Sequence, residues 1–466
     1  MPHQQTPTMT AKRFTKDLNK RKSSILSLAS SYNNNQPCEI FKPYDSGTFN
    51  LCYFVRFPRT NQRWVVRFLM KIPDMAYPYD KRVEGEVSTM KLVSERTTIP
   101  VPALHGYSLN DSDGRLGLSG YIIMDYAEGQ PLYQVWREHC KEFSEKQISK
   151  LYEQFADVYA QLRRLEFGAC GTLGFTPSGQ VDVVRGPHTM GVNLDQFEGL
   201  DSFSLNPGHC EMKGKISTAR DYAIFIFKVL LNSWARLSVD DENESSTKEM
   251  LYRLRQIWKF IDEEWLDAQQ NEGPFVLAHR DLHSKNILVD DDLNFVAVLD
   301  WEWSHVVPIQ FFTPPPWLED SPGIWGAPAE DDVVFGNAMA EFQQVVRRIE
   351  LKMYGSTLLA DELSRVPGRI TAYLPVCLAD AESVPWWGKT LLDKDSGIQT
   401  PASLSSEEGT SAREEVNRFM AEDQRRWKVV HDRTQHRTSD QAEKARDLDA
   451  MIEVCDAIGF PLQSHE

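Results

Sequence analysis

The stretch Phe275-Val-Leu-Ala-His279-Arg280-Asp281-Leu282-His283-Ser284-Lys285-Asn286-Ile-Leu-Val289, an acidic turn Asp290-Asp291-Asp292, then Phe295-Val-Ala-Val-Leu-Asp300-Trp301-Glu302, decides how this chain is read. Two apolar runs rich in β-branched residues flank the acidic turn, the pattern of a hairpin. Each run carries polar groups at an end where a core-facing strand would keep none. Asp281 and Asn286 stand five positions apart on the loop leading in, and Asp300 closes the far strand. A short turn therefore returns all three to one edge. Three oxygen-bearing side chains meeting there suit magnesium, a hard cation that takes one or two carboxylates and completes its shell with water and phosphate oxygens.

The spacing His279-x-Asp281-x-x-x-x-Asn286 followed by Asp300 resembles the catalytic segment of the kinase fold. With Asp300-Trp301-Glu302 in place of Asp-Phe-Gly, it is similar more narrowly to the aminoglycoside phosphotransferase and choline kinase branch. The resemblance implies that Asp281 orients or deprotonates an acceptor hydroxyl, that Asn286 and Asp300 hold Mg2+ on nucleotide phosphates, and that His279 is scaffold. A hairpin whose acidic residues are merely solvated is the plainer alternative.

Composition sets the outer bounds. A chain of 466 residues, 41% hydrophobic and 25% charged, is long enough for two or three packed units and has an ordinary water-compatible balance. The net charge of −16 and pI near 5.3 repel nucleic acid and anionic membrane, so cationic small molecules are the easier partners. Seven cysteines (Cys38, Cys52, Cys140, Cys170, Cys210, Cys377 and Cys455) are scattered, odd in number and without a Cys-x-x-Cys pair. A disulfide framework and a zinc site are both disfavoured, and a reducing, cytoplasmic setting is expected. No apolar run approaches the length of a membrane span; Tyr222 to Leu231 is short and broken by Lys228. The first 36 residues carry Lys12, Arg13, Lys16, Lys20, Arg21 and Lys22 against Asp17. They are faintly similar to a mitochondrial transit peptide, but lysine outnumbers arginine and no apolar face stands out, so a solvated basic leader is the favoured reading.

From Cys38 the pattern turns to strands. Phe49–Phe57 and Arg63–Met70 flank Pro58-Arg-Thr-Asn-Gln62, an antiparallel hairpin. Ahead of it, Asp45-Ser46-Gly47-Thr48-Phe49-Asn50 is similar to the family's Ser-Gly-x-x-Asn loop, which implies that Ser46, Gly47 and Thr48 cover phosphates, with backbone N–H groups free to approach at Gly47. The cation that pairs with the α- and β-phosphates is expected on the second strand. Arg67 stands where lysine is usual, and Lys71 shares its face as the rival. A helix from about Asp80 to Glu95 follows, with Val83, Val87, Met90 and Val93 as its stripe and with Glu84, Ser88, Lys91 and Glu95 on its wet side. Glu86 borders the buried face and needs a partner; the resemblance supplies Arg67. Thr97 to Pro102 stops the helix, because both prolines force extended geometry around them. Gly120–Met124 reads as a buried strand running into Asp125-Tyr126-Ala127-Glu-Gly129, the hinge. By resemblance, the backbone from Asp125 to Ala127 meets the adenine edge, with Met124 behind the base.

Beyond the hinge the chain is helical, with an amphipathic helix starting near Ser144 and similar periodicity over 218–236 and 246–268. Gly168 to Cys210, dense in glycine, serine and proline, offers no convincing element, and either shapes the acceptor pocket or is a surface excursion. Asp240 to Glu244 reads as a solvated acidic loop. The aromatic and proline-rich run Ile309 to Asp320 lacks an Ala-Pro-Glu segment, which favours a small-molecule over a protein acceptor. Capping pairs Ser411/Glu414 and Thr438/Gln441 announce helices in the tail, the last with Leu448, Met451, Ile452 and Cys455 on one stripe.

The resulting expectation is α+β: a bilobal protein-kinase-like fold with a strand-rich N-lobe, a helical C-lobe and a helical C-terminal extension. Its parts are a basic flexible leader (1–37), a nucleotide-binding N-lobe (38–129), a catalytic and acceptor-binding C-lobe (130–338) and the extension (339–466). The resemblance covers roughly Cys38 to Asp332. It implies ATP-dependent transfer of a γ-phosphoryl group to a hydroxyl of a small molecule, by positioning and charge neutralisation. The rivals are a nucleotide-binding pseudokinase scaffold, favoured by Arg67 and the sparse glycine loop, and a protein kinase, disfavoured by the missing activation segment.

Overall fold

A computed structural model of the chain describes residues 7–47, 49–70, 79–109, 114–139, 142–191, 215–237, 253–254, 256–313, 332–365, 374–375 and 378. The N-terminal part is built on a five-stranded antiparallel sheet in the order β1-β2-β3-β5-β4: β1 (Glu39–Ser46), β2 (Asn50–Phe57), β3 (Gln62–Leu69), β4 (Leu104–Ser108) and β5 (Tyr121–Asp125). The β2–β3 hairpin matches the expected register within a residue. Its turn is closed by Asn61 in the left-handed region, a conformation that asparagine tolerates.

Both faces of this sheet are covered, which is why β2 and β3 read as nearly continuous apolar runs. Helix α3 (Tyr79–Arg96), lying between β3 and β4 in the chain, sets Val83, Val87, Met90 and Val93 against Leu69, Ile122 and Met124. Leu51, Tyr53, Val55 and Phe57 of β2 and Trp64, Val66 and Phe68 of β3 point the other way. They are roofed by helices α1 (Pro7–Asn19) and α2 (Lys22–Tyr32) through Leu18, Ile25, Leu28 and Ala29. The expected flexible leader is thus corrected over residues 7–32. Ile25, Leu28 and Ala29 form an i, i+3, i+4 stripe, while Lys12, Lys16, Lys20 and Lys22 face solvent.

The chain crosses from β5 through residues 126–129 into β6 (Gln130–Pro131), which pairs with β11 (Ile287–Val289). Next come α4 (Leu132–His139) and α5 (Glu145–Arg163). Helix α5 starts where it was expected, and Ser144 caps it in a reciprocal capping box with Gln147. Strands β7 (Glu166–Phe167), β8 (Thr172–Phe175) and β9 (Val181–Arg185) follow. β8 and β9 form an antiparallel hairpin where the sequence offered no convincing element. Strands this short, punctuated by Gly171, Gly174 and Gly179, carry too little periodicity to be seen.

Helix α6 (Ala219–Leu237) leads towards β10 (Phe275–Ala278), which pairs with β13 (His305–Pro308) and β7, while β11 pairs with β12 (Phe295–Val298). The acidic turn is the predicted hairpin bend: the Asp290 carboxylate accepts from the backbone N–H of Asp292 at 3.0 Å and of Asn294 at 2.8 Å. Gln154 of α5 steadies it, accepting from Phe295 N–H at 2.7 Å and donating to the Leu293 carbonyl at 2.8 Å.

Helices α7 (Asp332–Tyr354) and α8 (Leu358–Leu363) lie on α5 through Arg164–Glu350 and Arg163–Glu362 pairs. Helix α7 runs unbroken across residues 338 and 339, where a boundary between the C-lobe and the extension was expected. The expected tail helices, the acidic loop 240–244 and the run 314–320 lie outside the described residues. Among the described residues, no helix is long and apolar enough to cross a membrane.

Candidate active site

The site forms where β3, α3 and the β11–β12 hairpin meet. Ile287 pairs with Val298 across the hairpin, and Leu299 N–H donates to the Asn286 carbonyl at 2.8 Å. This register places Asn286 beside Asp300. Asn286 Nδ2 donates to the Asp281 carbonyl and to Asp281 Oδ2, both at 2.9 Å. The amide is thereby oriented with its nitrogen on Asp281, which leaves Oδ1 as its donor to a cation. His279, 3% exposed, bonds the Leu299 carbonyl through Nε2 at 2.9 Å and accepts from Asp281 N–H at 3.3 Å. Burial holds its pKa down to about 4, so the imidazole is neutral, as a structural crosspiece requires.

Asp281 is the perturbed acid of the group. Burial, then the nearby Asp300 charge, push its carboxyl up to about 7, against the pull of the Asn286 hydrogen bond. His283 Nε2 lies 3.4 Å from Asp281 Oδ1, and its Nδ1 accepts from Lys285 N–H at 3.1 Å. The side-chain pKa of His283 is lowered, first by burial and then by the Lys285 charge.

Arg67, in the middle of β3 and 6% exposed, is the cation of the site. Nη1 pairs with Glu86 of α3, while Nη2 donates to Asp300 Oδ1 at 2.7 Å and to Glu302 Oε2 at 3.0 Å. The expected Arg67–Glu86 pair is present; the rival Lys71 lies outside the described residues. A second guanidinium, Arg82, is fully buried and grips Glu302 Oε1 through Nε at 2.7 Å and again through Nη2. Asn50 Nδ2 reaches Glu302 Oε2 at 3.2 Å. Glu302 thus ties β2, β3 and α3 to the segment after β12.

Three carboxyl groups (Glu86, Asp300, Glu302) face two guanidiniums (Arg67, Arg82) in this cluster. Arg67 is held charged by the acids around it, and burial drives the Glu86 carboxyl up to about 8. The most open of the three acids is Asp300, whose side chain is 31% exposed. Among the described residues no group of three or more His, Cys, Asp or Glu is arranged as a metal cage. The oxygen donors Asn286 and Asp300, both beside Asp281, fit a hard divalent cation that completes its shell from phosphate and water.

The remaining predicted positions are less directly engaged. Ser46 ends β1 opposite Leu51. The Gly47 N–H donates to the Asn50 carbonyl at 3.0 Å. A Cβ at Gly47 would meet nothing within 4 Å, so neither crowding nor backbone geometry calls for glycine there. Thr48 lies outside the described residues. Met124 is buried on β5 opposite Val65, in the strand next to Arg67. The N–H groups of Asp125 and Tyr126 are taken by the carbonyls of Ala103 and Arg63, both at 2.9 Å. Of the hinge amides named from sequence, that of half-buried Ala127 is the remaining candidate donor.

Sequence reasoning missed Arg82, Glu302, Asn50 and His283. Arg82 had one signal, falling one position before Val83 and four before Glu86 on the helix; Asn50 and Glu302 stood in the Ser-Gly-x-x-Asn and Asp-Trp-Glu patterns without being given a role, and His283 is a single polar residue with no spacing rule of its own.

A family model described as "phosphotransferase enzyme family" matches residues 40–311. Among solved structures, the chain is similar to a Plasmodium vivax ethanolamine kinase at 12% identity, covering 78% of this chain and 83% of that one with a TM-score of 0.38. It is similar to a type I macrolide 2'-phosphotransferase at 14% identity, covering 84% and 96% with a TM-score of 0.34. No curated protein matches the chain in sequence.

Proposed function

The chain belongs to the phosphotransferase enzyme family, and from that premise we propose that it transfers the γ-phosphoryl group of ATP to a hydroxyl of a small molecule. The observation that carries this reading is the convergence of Asp281, Asn286, Asp300 and Arg67 from three separate stretches of the chain.

In the proposed reaction Asp281 orients the acceptor hydroxyl or takes its proton. Its raised pKa makes it a better proton acceptor than a free carboxylate, provided it is ionised. Asn286 Oδ1 and Asp300 would hold Mg2+, which supplies neutralisation of phosphate charge. Arg67 spends three of its five N–H donors on Glu86, Asp300 and Glu302, and its other two would be the ones offered to phosphate oxygens. Lysine has one ammonium and could not span Glu86 and Glu302 in the same way, which gives the substitution at this position a physical sense. Ala127 N–H is the proposed hinge donor to the base, with Met124 behind it.

The test is release of ADP from ATP and Mg2+ by the full chain, with and without a panel of hydroxylated metabolites, amino alcohols and sugars. Acceptor-stimulated turnover is expected with at least one class. Tight ATP binding with no turnover across the panel would instead make the chain a nucleotide-binding scaffold.

A further inference from the structure

The β8–β9 hairpin is the element that the mechanism does not use, yet it touches both halves of the site. On one side it lies along α3. Arg185 pairs with Glu84, Phe175 N–H donates to Glu84 Oε1 at 3.2 Å, and a Cβ on Gly85 would lie 3.0 Å from Thr172 Cγ2. On the other side, Gly171 exchanges backbone hydrogen bonds with Val306 of β13, at 3.0 and 2.8 Å. His188 donates its N–H to Thr172 Oγ1 at 2.8 Å, and its ring lies 5.0 Å from that of Trp303. Trp303 adjoins Glu302, and the Arg82 guanidinium sits 5.9 Å above its ring.

We propose that residues 170–188 form a bracket that sets the spacing between α3 and the Asp300–Trp303 turn, with Glu84 and Arg185 as positioning residues for the Arg67 site. Glu84 and Glu86 are two positions apart on one helix, about 200° around its axis. Arg185 draws the first outward while Arg67 holds the second inward, so the pair fixes the rotation of α3. Rotation matters because Glu86 on α3 and Glu302 on the far segment grip the same guanidinium. A turn of the helix by one residue position would take Glu86 off Nη1. The expected wet-side placement of Glu84 and Ser88 is corrected by the same contact: Ser88 is fully buried, and Glu84 is largely covered by the hairpin.

The activity arm of the test rests on the proposed phosphotransfer, whereas the exchange arm does not. Hydrogen exchange is measured on the ligand-free full chain for wild type, Arg185→Ala, Arg185→Lys and Glu84→Gln. The last keeps an acceptor for Phe175 N–H and removes only the charge, so it tests the bracket even where Arg185→Ala fails to fold. Exchange in 79–96 and 300–303 is expected to rise together by roughly 3- to 30-fold in Arg185→Ala and Glu84→Gln, with β2 and β3 unchanged and Arg185→Lys near wild type. In turnover, kcat falls and the KM for ATP rises while the KM for acceptor stays put. Faster exchange confined to 170–188, or a lowered melting temperature with kcat and KM unmoved, overturns the bracket. Absence of turnover in wild type counts against the phosphotransfer reading alone, and the exchange arm still decides the bracket.

Discussion

Asp281 is 8% exposed and meets Asn286 and His283 at its two carboxylate oxygens. Replacing it with asparagine keeps the shape and removes the proton acceptor. Turnover is expected to fall by on the order of 10² to 10⁴, with ATP affinity, measured by calorimetry, little changed. With its folded pKa near 7 against about 4 unfolded, Asp281 binds more protons in the folded chain between those values. Its ionisation therefore lowers folding stability progressively as pH rises from about 4 to 7, and the full penalty applies above that. Activity follows the opposite course: kcat/KM should climb through about pH 7 and level off above it, since the ionised form is the competent one. A profile with no limb in that region removes Asp281 from proton transfer. Asp300→Ala should abolish the Mg2+ dependence of ATP binding, and an unchanged titration refutes the assigned metal contact. The meeting of these residues was legible from their spacing along one loop and hairpin, because local chain geometry brings them to one edge, whereas the roles proposed for them follow from the family resemblance.

At the level of elements, the Arg67 cluster is where three segments are tied to a fourth. Arg67→Ala would leave Glu86 and Glu302 buried without their shared cation, which typically costs about 3–5 kcal/mol; urea denaturation measures it. Arg67→Lys should retain part of the stability and lose more of the ATP affinity, because one ammonium replaces a fork. The hairpin that flanks α3 depends on close approach. Gly171 has φ of 142°, and a Cβ there would run into the Arg185 carbonyl oxygen. Gly171→Ala is expected to destabilise by about 1–3 kcal/mol; an unchanged unfolding midpoint would show that the hairpin is not docked this way. The helices α3, α5 and α6 and the β2–β3 hairpin were visible in the sequence because each is long and strongly periodic. The β8–β9 hairpin was not, since two short strands separated by glycines carry no period that rises above noise.

Across the whole molecule, the two hydrophobic clusters do not follow the two lobes. One runs from Leu69, Ile122 and Met124 of the sheet, through Val83 and Val87 of α3, into Val276, Ile287 and Phe311. The other lies on the outer face of the sheet and is closed by α1 and α2. Ile25 and Leu28 are fully buried there, so Ile25→Ala or Leu28→Ala should each cost about 2–5 kcal/mol, although neither is near the site. A solvated leader would give no change in thermal midpoint. The sequence alone determined the β2–β3 and β11–β12 hairpins and the gathering of Asp281, Asn286 and Asp300 at one edge, because hydrophobic period and short-range spacing are properties of neighbouring residues. Only the tertiary structure decided that Arg82 and Glu302 join Arg67, that Glu84 is covered, and that the basic leader is a roof. In each of these cases the partners lie between about 20 and 235 positions apart, and what decides them is which surfaces remain to be covered once the sheet has formed.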